Sequence, residues 1–353
     1  MKITENVAIS SLTTMRLGGD ARFLVEIFAE SEIPEAFKFV DEQGLPYWLL
    51  GAGANTIGHD EGFDGILIKN CIKGISQDGD SFTAYGGEIW DDFVKFTAER
   101  GYTGIEAMSA IPGTVGAAPV QNIGAYGQEV SQTIESVKAY DIRNQKMVTF
   151  SRDEMNFSYR KSIFNSGETA GKYLIVSATF ALKKGDTPQP FYRSLQSYID
   201  ENGITDFSPA SIRECVMAIR AAKLPDPAEE ASAGSFFKNV YLSDAEADIA
   251  ESRNIPVYRK TLPDGTRENK VSSGWLIENA GLKGQTFHGF RVSEKAALIL
   301  INDSATSYAD LEAARQEIAD AVRAKFGIDI AQEPVEIGHA ETSVSKLDGG
   351  AND

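Results

Sequence analysis

Two glycine-dense stretches stand where a main chain could touch a ligand. The first, Gly51-Ala52-Gly53-Ala54-Asn55, follows the apolar run Tyr47 to Leu50 and leads into Thr56. Glycines at a strand end let the backbone approach a ligand closely and turn N–H groups toward an anion such as a pyrophosphate. The spacing is not G-x-G-x-x-G: Gly58 lies too far along, and the downstream acids Asp64 and Asp78 do not repair the turn, so a doubly wound dinucleotide fold is disfavoured. An ordinary tight turn stands beside the phosphate reading. The second stretch, Ile105 to Gly127, carries Gly113, Gly116, Gly124, Gly127, Pro112 and Pro119 without helical or strand periodicity. Ordering so long a loop costs conformational entropy. Its apolar Ile111, Val115, Val120 and Ile123 point to burial, and buried backbone groups need partners. A large flat cofactor rich in acceptor atoms would supply them, with Gln121 and Asn122 at a ring edge; a loop packed on the core is the alternative.

The elements that must position these loops read as α+β. In the N-terminal third, Arg22 to Ile27 reads as a strand, Ser31 as the cap of a helix with Ile33, Phe37 and Val40 on one face, Gly44 as its end, and Gly65 to Ile68 as a further strand. Ile89 to Gly101 reads as a helix burying Trp90, Phe93, Val94 and Thr97. Short strands follow at Glu135 to Tyr140 and Tyr173 to Leu182. Ile212, Cys215, Val216 and Ile219 mark an amphipathic helix stopped by Pro225, and Leu311, Ala314, Ile318 and Val322 mark another that ends near Gly327. The expected divisions are 1–72, 73–208 and 209–338, with a polar tail at 339–353.

Composition narrows the function. The chain has 353 residues, 42% of them hydrophobic, enough for two or three domains. A formal charge of -17 argues against nucleic-acid binding and requires that any phosphate site be locally positive. No apolar run is long enough to span a membrane, and residues Met1 to Ser11 lack the apolar stretch expected of a signal peptide. Cys71 and Cys215, with the scattered His59, His288 and His339, give no disulfide framework and no metal-ligand spacing.

Leu50 to Asn55, Gly104 to Gly127, Tyr159-Arg-Lys-Ser-Ile-Phe164, Lys223-Leu-Pro-Asp-Pro227, Ala233-Gly-Ser-Phe-Phe-Lys-Asn239, Gly274-Trp-Leu-Ile-Glu278 and Glu333-Pro-Val335 occur in one order over residues 10 to about 338. In these the chain resembles the UDP-N-acetylenolpyruvoylglucosamine reductase (UDP-N-acetylmuramate dehydrogenase) family. Tyr192-Arg-Ser-Leu195 resembles the tyrosine loop of its long type. The resemblance implies a two-part FAD-binding domain of the vanillyl-alcohol-oxidase kind and a C-terminal α/β substrate domain. It also implies non-covalent FAD, NADPH as reductant, a UDP-linked enolpyruvyl sugar as substrate, and a cytoplasmic place in peptidoglycan precursor synthesis; a monomer is expected. Two departures are Ala54, where relatives more often have serine, and Ser293-Glu294-Lys295, where they often carry a histidine.

The resemblance implies Arg160, Ser235 and Glu333 as catalytic residues. An electron-rich enol ether resists hydride attack unless its carboxylate takes up the developing charge, and a guanidinium fork suits that carboxylate. The adjacent carbon then needs a proton, which a serine hydroxyl can give to so strong a base. A carboxyl with a raised pKa can polarise or protonate the same group. The cofactor residues implied are Gly51, Ala52, Gly53, Ala54, Asn55, Thr56, Ile111, Pro112, Gly113, Val115, Gly116, Gln121, Asn122, Gly124, Ala125 and Tyr126. For the substrate they are Tyr159, Tyr192, Lys223, Lys238 and Asn239. Arg213 is added because it shares a helical face with Arg220, either of which could reach phosphate; a solvated face is the alternative. Two rivals remain at this stage: a flavin oxidase of the same broad fold and a non-enzymatic nucleotide-binding module.

Overall fold

The structure, a computed structural model, describes residues 1–261 and 265–338; the expected polar tail and His339 lie outside them. The chain opens with a four-stranded sheet ordered Lys2–Ala8, Asp20–Ile27, Phe63–Asn70, Tyr47–Leu50, whose last three strands run parallel. Parallel neighbours need a crossover, and α1 (Ile33–Gln43) provides it, burying Ile33, Ala36, Phe37 and Val40. Ser31 does not cap this helix. It sits in a preceding 3-10 turn, where the Glu32 carboxylate accepts the N–H groups of Phe28 and Ala29 at 2.8 and 3.2 Å. Gly44 ends the helix at φ 60°, a left-handed conformation that costs glycine least.

A second, antiparallel sheet is ordered Lys146–Ser151, Ile134–Asp141, Tyr173–Ala181, Ser81–Tyr85, Ile75–Asp78. Helix α2 (Trp90–Ala98) seals it through fully buried Trp90, Phe93 and Val94. The two sheets share one apolar core: Val25, Ile27 and Phe37 pack with Tyr140, Leu174 and Val176. Helix α3 (Arg193–Glu201) precedes α4 (Pro209–Lys223), the helix expected to open the third region. Instead Ile212, Cys215, Val216 and Ile219 pack with Ala107, Leu195 and Ile199, on the second region. Its amphipathic spacing forecast a buried face but not which neighbour that face would meet.

The C-terminal unit has a four-stranded antiparallel sheet, Ser232–Ser235, Ile299–Asn302, Phe290–Val292 and Thr286–Phe287, and its core includes helices α5 (Asp244–Ser252), α6 (Ser273–Asn279) and α7 (Tyr308–Phe326). Its core also takes Met15, Leu17 and Ile57 from the N-terminal unit. The chain then returns: Val335–Glu336 pairs in parallel with Thr56–Ile57, immediately after the first glycine turn.

Candidate active site

Two cavities share a wall. The first, about 240 Å³, is lined by the Gly51–Thr56 turn, by Pro112, Gly113, Thr114, Gly116, Ala117 and Ala118, and by Tyr47, Trp48, Tyr173 and Leu174. The second, about 620 Å³, has Ala54, Asn55, Pro112, Gln121 and Ile123 in common with it and adds Ile111, Gly124, Arg160, Arg220, Ser235, Lys295 and Glu333. In the glycine turn, no turn or side-chain hydrogen bond among the described residues uses the N–H groups of Ala52, Gly53, Ala54 or Asn55. Among the described residues the Asn55 amide nitrogen in the shared wall is buried without a partner. Buried polar groups left unmatched are rare, and in a cavity wall a ligand can complete the pairing. A Cβ on Gly51 would come within 3.2 Å of Ala117 Cβ, so the cradle has little room for a side chain. These residues fit a bound nucleotide cofactor with a pyrophosphate.

The individual glycines answer to different needs. Gly53 is held at φ 68°, and a Cβ there would lie 1.9 Å from the Leu12 carbonyl oxygen; the protein's own backbone demands glycine at that point. The long loop likewise does not wait for a cofactor to satisfy its backbone. Val115 and Gly116 donate to Glu88 and Gly86, both at 2.9 Å, and Ala117, Val120 and Ile123 donate within the loop. Val115 is wholly buried in the core of the second unit rather than at a cavity wall. Asn122 is also withdrawn from any ring edge: its amide donates to Glu129 and the Ser158 carbonyl and accepts the Ser131 N–H at 3.0 Å. Ala125 and Tyr126 stand outside both linings; Tyr126 packs edge-on against Tyr192, with ring centroids 6.2 Å apart.

Arg160, Ser235 and Glu333 come together in the second cavity from three distant places in the chain. Arg160 occupies the tip of a two-residue turn closed by reciprocal Ser158 and Lys161 backbone bonds of 3.0 and 3.1 Å, and its φ is 56°. A left-handed non-glycine residue costs about 1–2 kcal/mol, which the surrounding contacts must offset. Its Nε donates to Glu333 Oε1 at 3.2 Å, and its two terminal nitrogens reach toward the Asn122 and Gly124 carbonyls at 3.4 Å. Burial raises the pKa of Glu333; the charge and hydrogen bond of Arg160, and the charge of Lys238, pull the other way without cancelling it. Ser235 ends a strand whose register slips between Ser232 and Ser235, at Gly234 with φ 69°. Such a bulge re-aims the next side chain. Ser235 lines the cavity, and its hydroxyl makes no hydrogen bond among the described residues. Glu333 is tied to the same place, since its N–H donates to the Phe236 carbonyl at 2.8 Å.

The expected substrate residues divide. The Tyr159 ring lies 5.1 Å from both the Arg160 guanidinium carbon and the Tyr241 ring, and the Asn239 side-chain oxygen accepts the Ser273 N–H at 3.3 Å. Tyr192 is exposed, as are Lys223 and Lys238, and none of these lines either cavity. Arg213 is withdrawn altogether. It is buried and makes a two-pronged ion pair with Asp91, at 2.5 and 2.7 Å, that fastens α4 to α2. Arg220, one face-repeat further along, is the cation that reaches the cavity; it donates to the Ala110 carbonyl at 3.2 Å and, among the described residues, keeps a buried, unpartnered Nε. Sequence reasoning also missed Thr114, Ala117 and Lys295 as lining residues. Thr114 and Ala117 sit inside the Ile105 to Gly127 loop already singled out, and Lys295 sits in the departure at Ser293-Glu294-Lys295.

Comparison with known proteins is consistent with this arrangement. Residues 21–151 match the FAD binding domain model, and residues 226–337 match the model described as UDP-N-acetylenolpyruvoylglucosamine reductase, C-terminal domain. The chain is 35% identical over 340 residues to the UDP-N-acetylenolpyruvoylglucosamine reductase of Bdellovibrio bacteriovorus, covering 95% of this chain and 99% of that one. It is 36% identical over 334 residues to that of Burkholderia cenocepacia, covering 93% and 95%. The crystal structure of the Thermus caldophilus reductase shares the fold, with a TM-score of 0.67 at 21% identity over 95% of this chain and 99% of that one.

Proposed function

The chain belongs to the UDP-N-acetylenolpyruvoylglucosamine reductase family and is an FAD-binding oxidoreductase of peptidoglycan precursor synthesis; on that premise we propose how its own residues divide the reaction. When bound, FAD would supply the two-electron hydride chemistry that links NADPH to the methylene carbon of the enolpyruvyl ether, and the residues of the glycine cradle would hold it. The single observation that carries the reading is that Arg160, Ser235 and Glu333 line one cavity, which shares a wall with the glycine cradle.

In this reading the Ala52–Asn55 amides hold the FAD pyrophosphate, and Gln121 and Ile123 stand where the two cavities meet. The substrate carboxylate takes the Arg160 guanidinium away from Glu333, whose protonated carboxyl then polarises the enolpyruvyl group through a hydrogen bond or assists as general acid. The fork then faces the charge that develops as the double bond is reduced, where a fixed cation is worth most. Ser235 donates its proton to the carbon beside the carboxylate. Buried Phe236 and Phe237 keep water away from that transfer. Arg220 and Lys295 supply positive charge within the cavity, and Tyr159, Tyr192, Lys223, Lys238 and Asn239 serve the UDP sugar from its rim.

The test is Ser235→Ala followed in a stopped-flow spectrometer. NADPH should bleach the visible flavin band at the wild-type rate. Recovery of the band on adding the UDP-linked enolpyruvyl sugar should slow by roughly 10²- to 10⁴-fold, the usual worth of a proton donor. Equal loss in both phases would refute the role given to Ser235.

A further inference from the structure

Glu333 enters the cavity from a short segment, Gln332–Ile337, and that segment is fastened through Glu336. One Glu336 oxygen, Oε1, accepts hydrogen bonds from Tyr308 Oη at 2.9 Å, Gln332 Nε2 at 3.0 Å and Arg315 Nη1 at 3.1 Å. The other, Oε2, lies 3.1 Å from His59 Nε2. The His59 ring is itself fixed, stacked on Tyr308 with centroids 3.7 Å apart and planes 20° apart. These partners come from both ends of the chain. His59 follows strand Thr56–Ile57 of the N-terminal unit, Tyr308 and Arg315 belong to α7, and Gln332 lies on the segment itself, where it also donates to the Pro334 carbonyl at 2.9 Å. The main chain is stitched alongside, with Val335 N donating to Asn55 O at 3.0 Å and Ile337 N to Ile57 O at 2.9 Å.

We propose that Glu336 is a positioning residue for the reaction: the clasp of His59, Tyr308, Arg315 and Gln332 on its carboxylate sets where Glu333 stands in the cavity. Glu333 lines the cavity, while Glu336, beyond the bend at Pro334, faces α7 and His59. A carboxylate gripped on both oxygens can neither slide nor rotate, and only an acceptor-only group serves all four partners without turning a donor toward one of them. The same segment donates to Asn55, so the clasp also fixes Glu333 relative to the glycine cradle.

The inference rests on the role given above to Glu333, and its test separates the two. FAD-loaded Glu336→Gln, His59→Ala and His59→Gln proteins are compared with wild type by amide hydrogen exchange and by the two flavin half-reactions. Exchange should rise at 332–337 in Glu336→Gln and His59→Ala. His59→Gln, which keeps a donor, should restore it. Flavin reduction by NADPH should stay unchanged, while reoxidation by the enolpyruvyl sugar should slow about 10- to 100-fold, as when a supporting residue lets a reacting group drift. In a Glu333→Gln background, Glu336→Gln should cost nothing further. Unchanged exchange, or independent multiplying losses in the double variant, overturns the proposal. If wild-type flavin is not reoxidised by the sugar, it is the role of Glu333 that fails, and exchange at 332–337 alone decides whether Glu336 holds the segment.

Discussion

A buried carboxyl next to an arginine is poised between two states, and Glu333 is held there by opposing causes. Burial raises its pKa, and Arg160 counters that rise only in part. When a substrate carboxylate draws Arg160 away, the countering influence weakens and the protonated form gains. A carboxyl donates a proton or a hydrogen bond only while protonated. The rate of flavin reoxidation should therefore fall as pH rises through the elevated pKa of Glu333, above the ordinary glutamate value of about 4.3. Rate–pH profiles of that half-reaction in wild type and Glu333→Gln test this: the descending limb should vanish in the variant, and its survival would assign the titration to another group. None of this was legible in local sequence. An arginine after a strand, a serine after glycine and a glutamate before proline are each unremarkable; only the family pattern singled them out, because the chemistry lies in their convergence from positions 160, 235 and 333.

Among the elements, α4 shows what periodicity can and cannot say. Its apolar spacing foretold a helix with one buried face, and Arg213 and Arg220 do share a side. Which of them meets the ligand depends on the neighbour, and Asp91 on α2 claims Arg213. Asp91→Ala would strand a buried guanidinium and should cost about 3 kcal/mol at neutral pH, toward the low end for such pairs because 28% of the Asp91 side chain is exposed. Burial alone would raise the Asp91 pKa, but the Arg213 hydrogen bonds, the Ala110 N–H and the Arg213 charge together leave it lowered. A depressed carboxylate stabilises the fold above its unfolded pKa, and that contribution disappears as pH falls through the folded one. Urea unfolding should therefore separate wild type from variant at pH 7 and bring them together well below about pH 3.9. A gap that persists in acid would mean that lost packing, not charge, is responsible. The Ile105 to Gly127 loop teaches a similar lesson. Its glycine density was visible, but its backbone partners, Gly86 and Glu88, lie on a turn that no local pattern links to it.

At the level of the whole molecule, the cavities belong to no single unit. Strand-end residues of the first sheet, the glycine loop of the second, and Ser235 and Glu333 of the C-terminal unit all contribute walls. The sequence divisions at 72 and 208 could not show this, because the returning strand Val335–Glu336 and the shared cores join residues hundreds of positions apart. A ligand gripped by walls from separate units stabilises their docked arrangement and has no comparable site on the unfolded chain. FAD at a hundredfold excess over its dissociation constant should then add about 2.7 kcal/mol to stability. For a chain of 353 residues that corresponds to roughly 3–4 °C in unfolding temperature. FAD-stripped protein should accordingly melt lower than reconstituted protein, with faster amide exchange at 51–56 and 112–124. If FAD raised the melting temperature yet left exchange at 51–56 and 112–124 unchanged, the cofactor would have to sit elsewhere, and the glycine cradle would be only the tight turn that the sequence also allowed.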